Sequence, residues 1–268
     1  MLAFAANSLL CRMALGQQLI DAASFASVRM VAGAVSLGLL ALPRWRARGR
    51  VATDWRSPAM LFAYMAFFSF AYLSLAAGTG ALLLFGAVQL TMFVVALRQG
   101  ESFSSLSWAG LIVALAGLVY LVSPGLAAPD PLGAALMILA GMAWGVYSLL
   151  GRGADDPLEA TAANFLYAVP LVLIVSIVFS RDFHMSPSGA ALAVASGAVT
   201  SGLGYAIWYA ALRGLKATSA ATIQLSVPVI AAFGGVVFLS EEVTLRIVLA
   251  SIATLGGVAI VLVRRTAR

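Results

Sequence analysis

The strongest restriction on the fold of this chain is a repeat within it, built almost wholly of apolar residues. Ser8-Leu9-Leu10-Cys11-Arg12 returns 140 positions later as Ser148-Leu149-Leu150-Gly151-Arg152. Glu101-Ser102-Phe103-Ser104 returns at the same offset as Glu241-Glu242-Val243-Thr244, and Gly117 returns as Gly257. Three landmarks with one spacing mark a duplicated unit. The number of membrane spans in each unit then decides how the two halves face each other.

Hydrophobic residues make up 62% of the chain and charged residues 10%, against about 25% charge in a soluble domain. Most of the sequence consists of apolar stretches near the ~20 residues that cross a bilayer. The pattern predicts an all-α polytopic membrane protein with ten transmembrane helices, over 1–17, 24–42, 58–76, 79–97, 105–123, 131–150, 158–180, 188–212, 217–239 and 244–263. The connections are short, so no sizeable soluble domain is expected. Cys11 is the single cysteine, which excludes an intrachain disulfide. The N-terminus has no basic region before its apolar run, so no cleavable signal peptide is evident.

Five spans fall in each unit. Because five is odd, the second unit enters the membrane from the opposite side, and the expected architecture is two inverted five-helix repeats. Secondary transporters use that arrangement to exchange two conformations around a site near the midplane. The first repeat is read as 1–123, a Pro- and Gly-containing linker as 124–130, and the second repeat as 131–268. The first span is about eight residues shorter than its counterpart, span 6, and its apolar run falls below the length a comfortable crossing needs. The expectation is a native chain that starts upstream; N-terminal sequencing that finds Met1 would refute it.

The formal charge of +6 fits the positive-inside rule better than nucleic-acid binding. With a cytoplasmic N-terminus, the inner loops and C-terminus hold Arg44, Arg46, Arg48, Arg50, Arg56, Arg98, Arg152, Arg213, Lys216, Arg264, Arg265 and Arg268. Only Arg12, Arg29, Arg181 and Arg246 fall elsewhere. Both termini are then cytoplasmic.

The acidic residues all fall in or beside predicted loops, and so does the single histidine, His184. No membrane-embedded carboxylate or histidine is therefore evident for proton coupling. No metal-ligand cluster and no catalytic pair can be assembled, so neither an enzyme nor a cofactor is expected. Arg29 is the unusual charge, about 12 Å into span 2 at 1.5 Å per residue. Two roles are open to it: binding a substrate carboxylate, or snorkelling and bracing helices.

Polar residues inside spans must find partners and so point inward. Gln89 and Gln224 occupy matching places in spans 4 and 9, with Thr91 and Ser226 beside them. Asn7 and Ser148 join them as candidate binding groups. Tyr64, Phe68 and Tyr72 share one helical face, as do Ser201, Tyr205 and Trp208. Trp144 and Tyr147 mark span 6, and Asn164 and Tyr167 mark span 7. The candidate substrate-binding set is Asn7, Tyr72, Gln89, Trp144, Ser148, Tyr205, Trp208 and Gln224; interhelical packing is the competing role for each. Gly86 and Pro228 are candidate gating hinges, because glycine loosens a helix and proline removes a backbone donor. Gly141 and Gly145, Gly110 and Ala114, and Ala253 and Gly257 are small-residue pairs suited to close helix packing.

These residues resemble the EamA family of the drug/metabolite transporter superfamily. The similarity lies in the ten-span duplication, the basic loop after span 2, Arg29, and Gly141-Met142-Ala143-Trp144-Gly145-Val146-Tyr147. It extends to Glu101 and Glu241 before the last span of each repeat, and to Gly117 and Gly257 within it. Within the family the chain looks closest to YddG-type amino-acid exporters. The resemblance implies a basket of spans 1, 3, 4, 6, 8 and 9 around a central cavity, and efflux of amino acids, aromatic ones among them. Phe4 stands where the repeat partner has Trp144, which questions what the first helix contributes.

The expected function is an inner-membrane exporter of small zwitterions by alternating access and facilitated diffusion. Its expected partners are an amino-acid substrate and the lipid bilayer, with no nucleic acid, and the expected unit is a monomer. A multidrug or nucleotide- or lipid-linked sugar translocator is the alternative, and a non-transporting scaffold is a second. A drug-cation site would favour an embedded Glu, and a phosphate-sugar site several buried cations. A scaffold would gain nothing from matched polar spans.

Overall fold

The computed structural model describes residues 1–48, 54–100, 103–125, 128–151, 154–212 and 223–265. Within them lie ten helical spans: α1 (Leu2–Gly16), α2 (Ala22–Arg48), α3 (Arg56–Ala71), α4 (Ala77–Arg98), α5 (Ser105–Val122), α6 (Pro131–Leu150) and α7 (Pro157–Val178). Then come α8, made of Pro187–Ala195, a π-helical stretch Ser196–Leu203 and Gly204–Leu212, followed by α9 (Ser226–Leu239) and α10 (Leu245–Arg265). Seven of them are long and apolar enough to cross a bilayer; α1 and the described part of α9 are shorter apolar helices, and α3 has 16 residues. Glu101, Ser102, Arg50, Arg152, Arg213, Lys216, Arg268 and the predicted start of span 9 lie outside the described residues.

Local chemistry sets the helix starts. Asp130, Asp156 and Ser186 each accept a backbone N–H of the following first turn, and each is followed by proline at the first helical position. Proline has no N–H to leave unsatisfied there, and its fixed φ suits the helix. Ser104 caps α5 without a proline. Asp21 does the same for α2 through Ser24 N at 2.8 Å, and its second oxygen accepts His184 N at 3.2 Å. Asp21, Asp130 and Asp156 therefore sit at helix starts, where an anion meets the positive end of the helix dipole. Glu159, at the loop edge of span 7 in the sequence reading, lies in the first turn of α7 and is buried.

The helix contacts repeat the duplication. α2 packs on α7, α4 on α9 and α5 on α10, each span against its own repeat partner. The contact of α3 with α6 is mirrored by α8 with α1, and that of α4 with α6 by α9 with α1. The two units thus interlock about a pseudo-twofold axis and form one body.

Small residues permit the closest approaches. A Cβ built on Gly257 would overlap the Gly110 carbonyl and Ala114 N across the α5–α10 contact. One on Gly197 would strike the Arg29 carbonyl, and one on Gly141 the Leu84 carbonyl. Lipid tails supply no hydrophobic drive between helices, so such close packing is what holds them. Outward faces carry large apolar side chains, including Ile112, Val119, Ile177 and Phe233, as a bilayer-facing surface requires.

Two of the basic residues outside the main basic loops are explained by the fold. Arg246 donates to the Ser123 carbonyl at 2.7 Å and reaches Pro124, neutralising the carbonyl end of α5. Arg12 donates to Glu241 Oε1 at 3.2 Å and to the Tyr72 and Leu73 carbonyls.

Candidate functional site

At the centre of the molecule an aromatic cage meets a chain of polar side chains. Phe4 packs edge-on against Trp144, Tyr205 and Trp208, with ring centroids 6.2, 5.8 and 5.8 Å away. Trp144 also stacks on Tyr64 at 4.9 Å and Tyr205 at 5.0 Å. Beside the rings, Asn7 Oδ1 accepts from Ser196 Oγ at 2.5 Å and from Thr200 Oγ1 at 3.2 Å. Asn7 Nδ2 donates to the Tyr64 hydroxyl at 3.4 Å. That hydroxyl also accepts from Arg29 Nη2 at 3.0 Å, and Arg29 Nε donates to Ser201 Oγ at 3.2 Å. Arg29 is wholly buried, which excludes snorkelling.

The π-helical stretch of α8 is what gathers this network. Ser196, Thr200 and Ser201 all lie on it, and they meet α1 and α2 together. Its widened turns are enabled by Gly197 and Gly202, whose missing side chains let α2 come within backbone contact. π-Segments inside α-helices are often found at functional sites.

Between cage and network remains a cavity of about 10 Å³ bordered by Phe4, Asn7, Ser8, Tyr64, Phe68, Leu84, Phe85, Trp144 and Tyr205. Room on this scale holds about one water, so the central site is closed in this conformation. Its walls come from α1, α3, α4, α6 and α8; α9 contributes none of these residues.

The structure brings together Asn7, Trp144 and Tyr205 from the predicted set, with Trp208 behind Phe4. It does not bring the others to the cavity. Tyr72 lies one residue past the end of α3, and its hydroxyl donates to the Ala77 carbonyl at 3.3 Å. It therefore closes the α3–α4 turn, and Gly80 leaves space for its ring. Ser148 donates to the Trp144 carbonyl one turn back at 2.8 Å, the usual alternative for a hydroxyl inside a helix. Gln89 and Gln224 are both buried and are not among the residues bordering this cavity, and Gln89 Nε2 has no acceptor among the described residues. Tyr167 faces outward and is half exposed.

Gly86 abuts the Leu118 side chain of α5. Pro228 sits in the first turn of α9, and the helix is interrupted at Leu225 just before it. Proline at 228 has no N–H to give to the Gln224 carbonyl one turn back, which accounts for the break between them. Phe4, which the repeat comparison had placed in question, is the hub of the cage. Ser196 and Thr200 were missed, because small hydroxylated residues in an Ala- and Gly-rich helix carry no signal of their own.

At the end of the bundle where α1 and α9 finish, Glu241 joins both repeats. Its carboxylate accepts Ala77 N at 3.1 and 2.9 Å, capping α4 from 164 residues away, while holding Arg12. Outside this junction lies a cavity of about 250 Å³, bordered by Ser74, Thr79, Asp130, Glu241, Glu242 and Thr244 among others.

Residues 131–263 match the EamA-like transporter family model. The chain is 48% identical over its full length to an uncharacterized protein of Pseudomonas aeruginosa, PA1977, covering 93% of it. It is 33% identical over 142 residues to the threonine/homoserine exporter RhtA of Salmonella typhimurium, across 50% of this chain and 47% of RhtA. It is also 23% identical to the uncharacterized transporter YoaV of Bacillus subtilis, over 56% of this chain and 54% of YoaV. A solved crystal structure superposes with a TM-score of 0.69 at 20% identity, covering 97% of this chain and 95% of that one. With residues 131–263 matching the family model and an exporter and a transporter among its relatives, the chain belongs to the EamA-like transporter family, whose members are transporters and not enzymes.

Proposed function

We propose that this protein exports amino acids across the bacterial inner membrane by alternating access, as a monomer with both termini in the cytoplasm. The repeat units are taken as 1–123 and 131–268, joined by 124–130. The observation that carries the reading is the pairing of the Asn7–Ser196–Thr200 network with the cage of Phe4, Trp144 and Tyr205. A zwitterion needs fixed polar partners for its backbone atoms and an apolar or aromatic surface for its side chain, and both stand here at the junction of the repeats. The likeness to a threonine/homoserine exporter supports the same substrate class. The basic C-terminal end of α2, with Arg44 paired to Asp156 at 3.4 Å, sits on the cytoplasmic side by the positive-inside rule. The Arg12–Glu241 junction then faces outward. Gln89, Gln224, Gly86 and Pro228 act in this reading when the cavity opens, the interruption at Leu225 serving as the hinge of α9.

No described carboxylate borders the central cavity, which supports movement of substrate down its own gradient. Protein reconstituted in liposomes should take up L-threonine or L-phenylalanine without a pH gradient. Uptake that requires an imposed proton gradient would overturn facilitated diffusion. Asn7→Ala and Trp144→Ala should each lower the transport rate about tenfold or more, the scale of one lost buried hydrogen bond or aromatic contact. Rates equal to wild type in both would remove this cavity from the substrate path.

A further inference from the structure

We infer that Arg29 is an anchor for the substrate's carboxylate. The inference rests on the amino-acid reading above and narrows it to ligands that carry a carboxylate, with Tyr64 and Ser201 as the groups that position the guanidinium.

Arginine keeps its charge in any protein environment, and its planar fork offers five N–H donors. Arg29 is fully buried among the helices. Its Nε and Nη2 each donate to a hydroxyl, on Ser201 and Tyr64, while Nη1 has no acceptor among the described residues. No carboxylate among the described residues lies within ion-pair distance of it. The titratable groups that bear on it are Tyr64, Tyr205 and Cys11, all uncharged in their ordinary state at neutral pH. The rings of Phe68 and Tyr64 lie 4.8 and 5.3 Å from the guanidinium carbon. They offer it partial cation–π compensation and no counter-charge.

A buried cation held only by neutral groups is an unfavourable arrangement unless an anion completes it. A brace between helices would use both ends of the fork, whereas here one end is left open. Tyr64 and Phe68, which hold the guanidinium, are also walls of the central cavity. A ligand entering between Asn7 and Trp144 therefore meets Arg29 once those rings move. The ligand's ammonium would then face the π-faces of Trp144 and Tyr205.

The charge count selects the anion. Arg29 is the one buried cationic side chain among the described residues. A single guanidinium matches a monoanionic carboxylate bidentately, and a phosphate dianion would lack a second cation. This separates the site from one built for phosphate-linked sugars.

Binding to the purified protein, measured by calorimetry, tests the assignment with L-phenylalanine, L-threonine and their carboxamides. The wild type should bind the acids at least tenfold more tightly than the amides. Arg29→Gln should weaken acid binding by about 100-fold, the scale of losing one partner of a buried charge pair, and make acid and amide alike. Arg29→Lys should recover only part, because the fork is gone. Should Arg29→Gln not fold, Ser201→Ala and Tyr64→Phe should still narrow the acid-to-amide ratio. Equal binding of acid and amide by wild type would overturn the anchor while leaving the amino-acid reading standing. Binding of carboxylate-free drugs with no binding of either amino acid would overturn that reading itself.

Discussion

Gly257→Ala should lower stability by about 3 kcal/mol, at the upper end of what overpacking costs, while Gly256→Ala should leave it unchanged or raise it by up to about 1 kcal/mol. The two glycines are neighbours on α10, and alanine is the better helix former at both. They differ in what a methyl group meets. At Gly256 nothing lies within 4 Å, whereas at Gly257 the methyl falls on the Gly110 carbonyl and on Ala114 N and Cα. Backbone atoms cannot rotate aside as a side chain would, so the helices themselves must separate. Thr254, whose hydroxyl donates to the Ala114 carbonyl at 3.5 Å, would lose its partner as they do. Thermal unfolding in detergent checks the pair. Equal midpoints for the two variants, or a lower one for Gly256→Ala, would show that this contact does not hold the repeats together.

That contrast also shows how far the sequence can be read. The spans are legible, because apolar length and the Asp-Pro and Ser-Pro starts act within single segments. Among the described residues, helix limits therefore fall within a few residues of those expected, except for α2, which runs six residues further, and α3, which stops at Ala71; the expected start of span 9 lies outside them. Gly257 is legible as a repeat landmark, but nothing in the string separates its role from that of Gly256. Only the facing backbone of α5 does. The site is less legible for the same reason. Tyr72 continues the spacing of Tyr64 and Phe68, yet helix α3 ends before it, so its ring turns into the adjoining loop. Gln89 and Gln224 satisfy the rule that polar groups point inward, and both are buried, but neither borders the cavity. Ser196 and Thr200 reach Asn7 because α8 widens into a π-helix, a distortion set by its packing on α2. Arg12 and Glu241 were each conspicuous as repeat landmarks, and their union across 229 residues needed the fold.

That union makes the second prediction. Glu241→Gln should raise the alkylation rate of Cys11 about tenfold, the effect of easing a local opening by about 1.4 kcal/mol. Cys11 is wholly buried and is the neighbour of Arg12 in the chain. As the single cysteine, it reports on this end of the bundle without engineering. Glu241 holds three elements at once: Arg12 of α1, the first N–H of α4, and its own turn before α10. The turn is shaped for that purpose, with Ser240 left-handed at φ 53° and Gly235 leaving room for the carboxylate. Glutamine can still accept an N–H, but it takes away the charge that pairs Arg12 and complements the α4 dipole. The side chains are 25% and 15% exposed, so solvent screens part of the attraction, which keeps the expected gain near tenfold. Arg44→Gln is the control, since it breaks an ion pair between α2 and Asp156 at the opposite end. It should leave Cys11 labelling unchanged. General destabilisation would raise labelling in both variants in step with their unfolding midpoints; an outward gate at Glu241 raises it in one. Wild-type labelling in Glu241→Gln, or equal acceleration in the two, would mean that the junction is a helix cap and no barrier to opening.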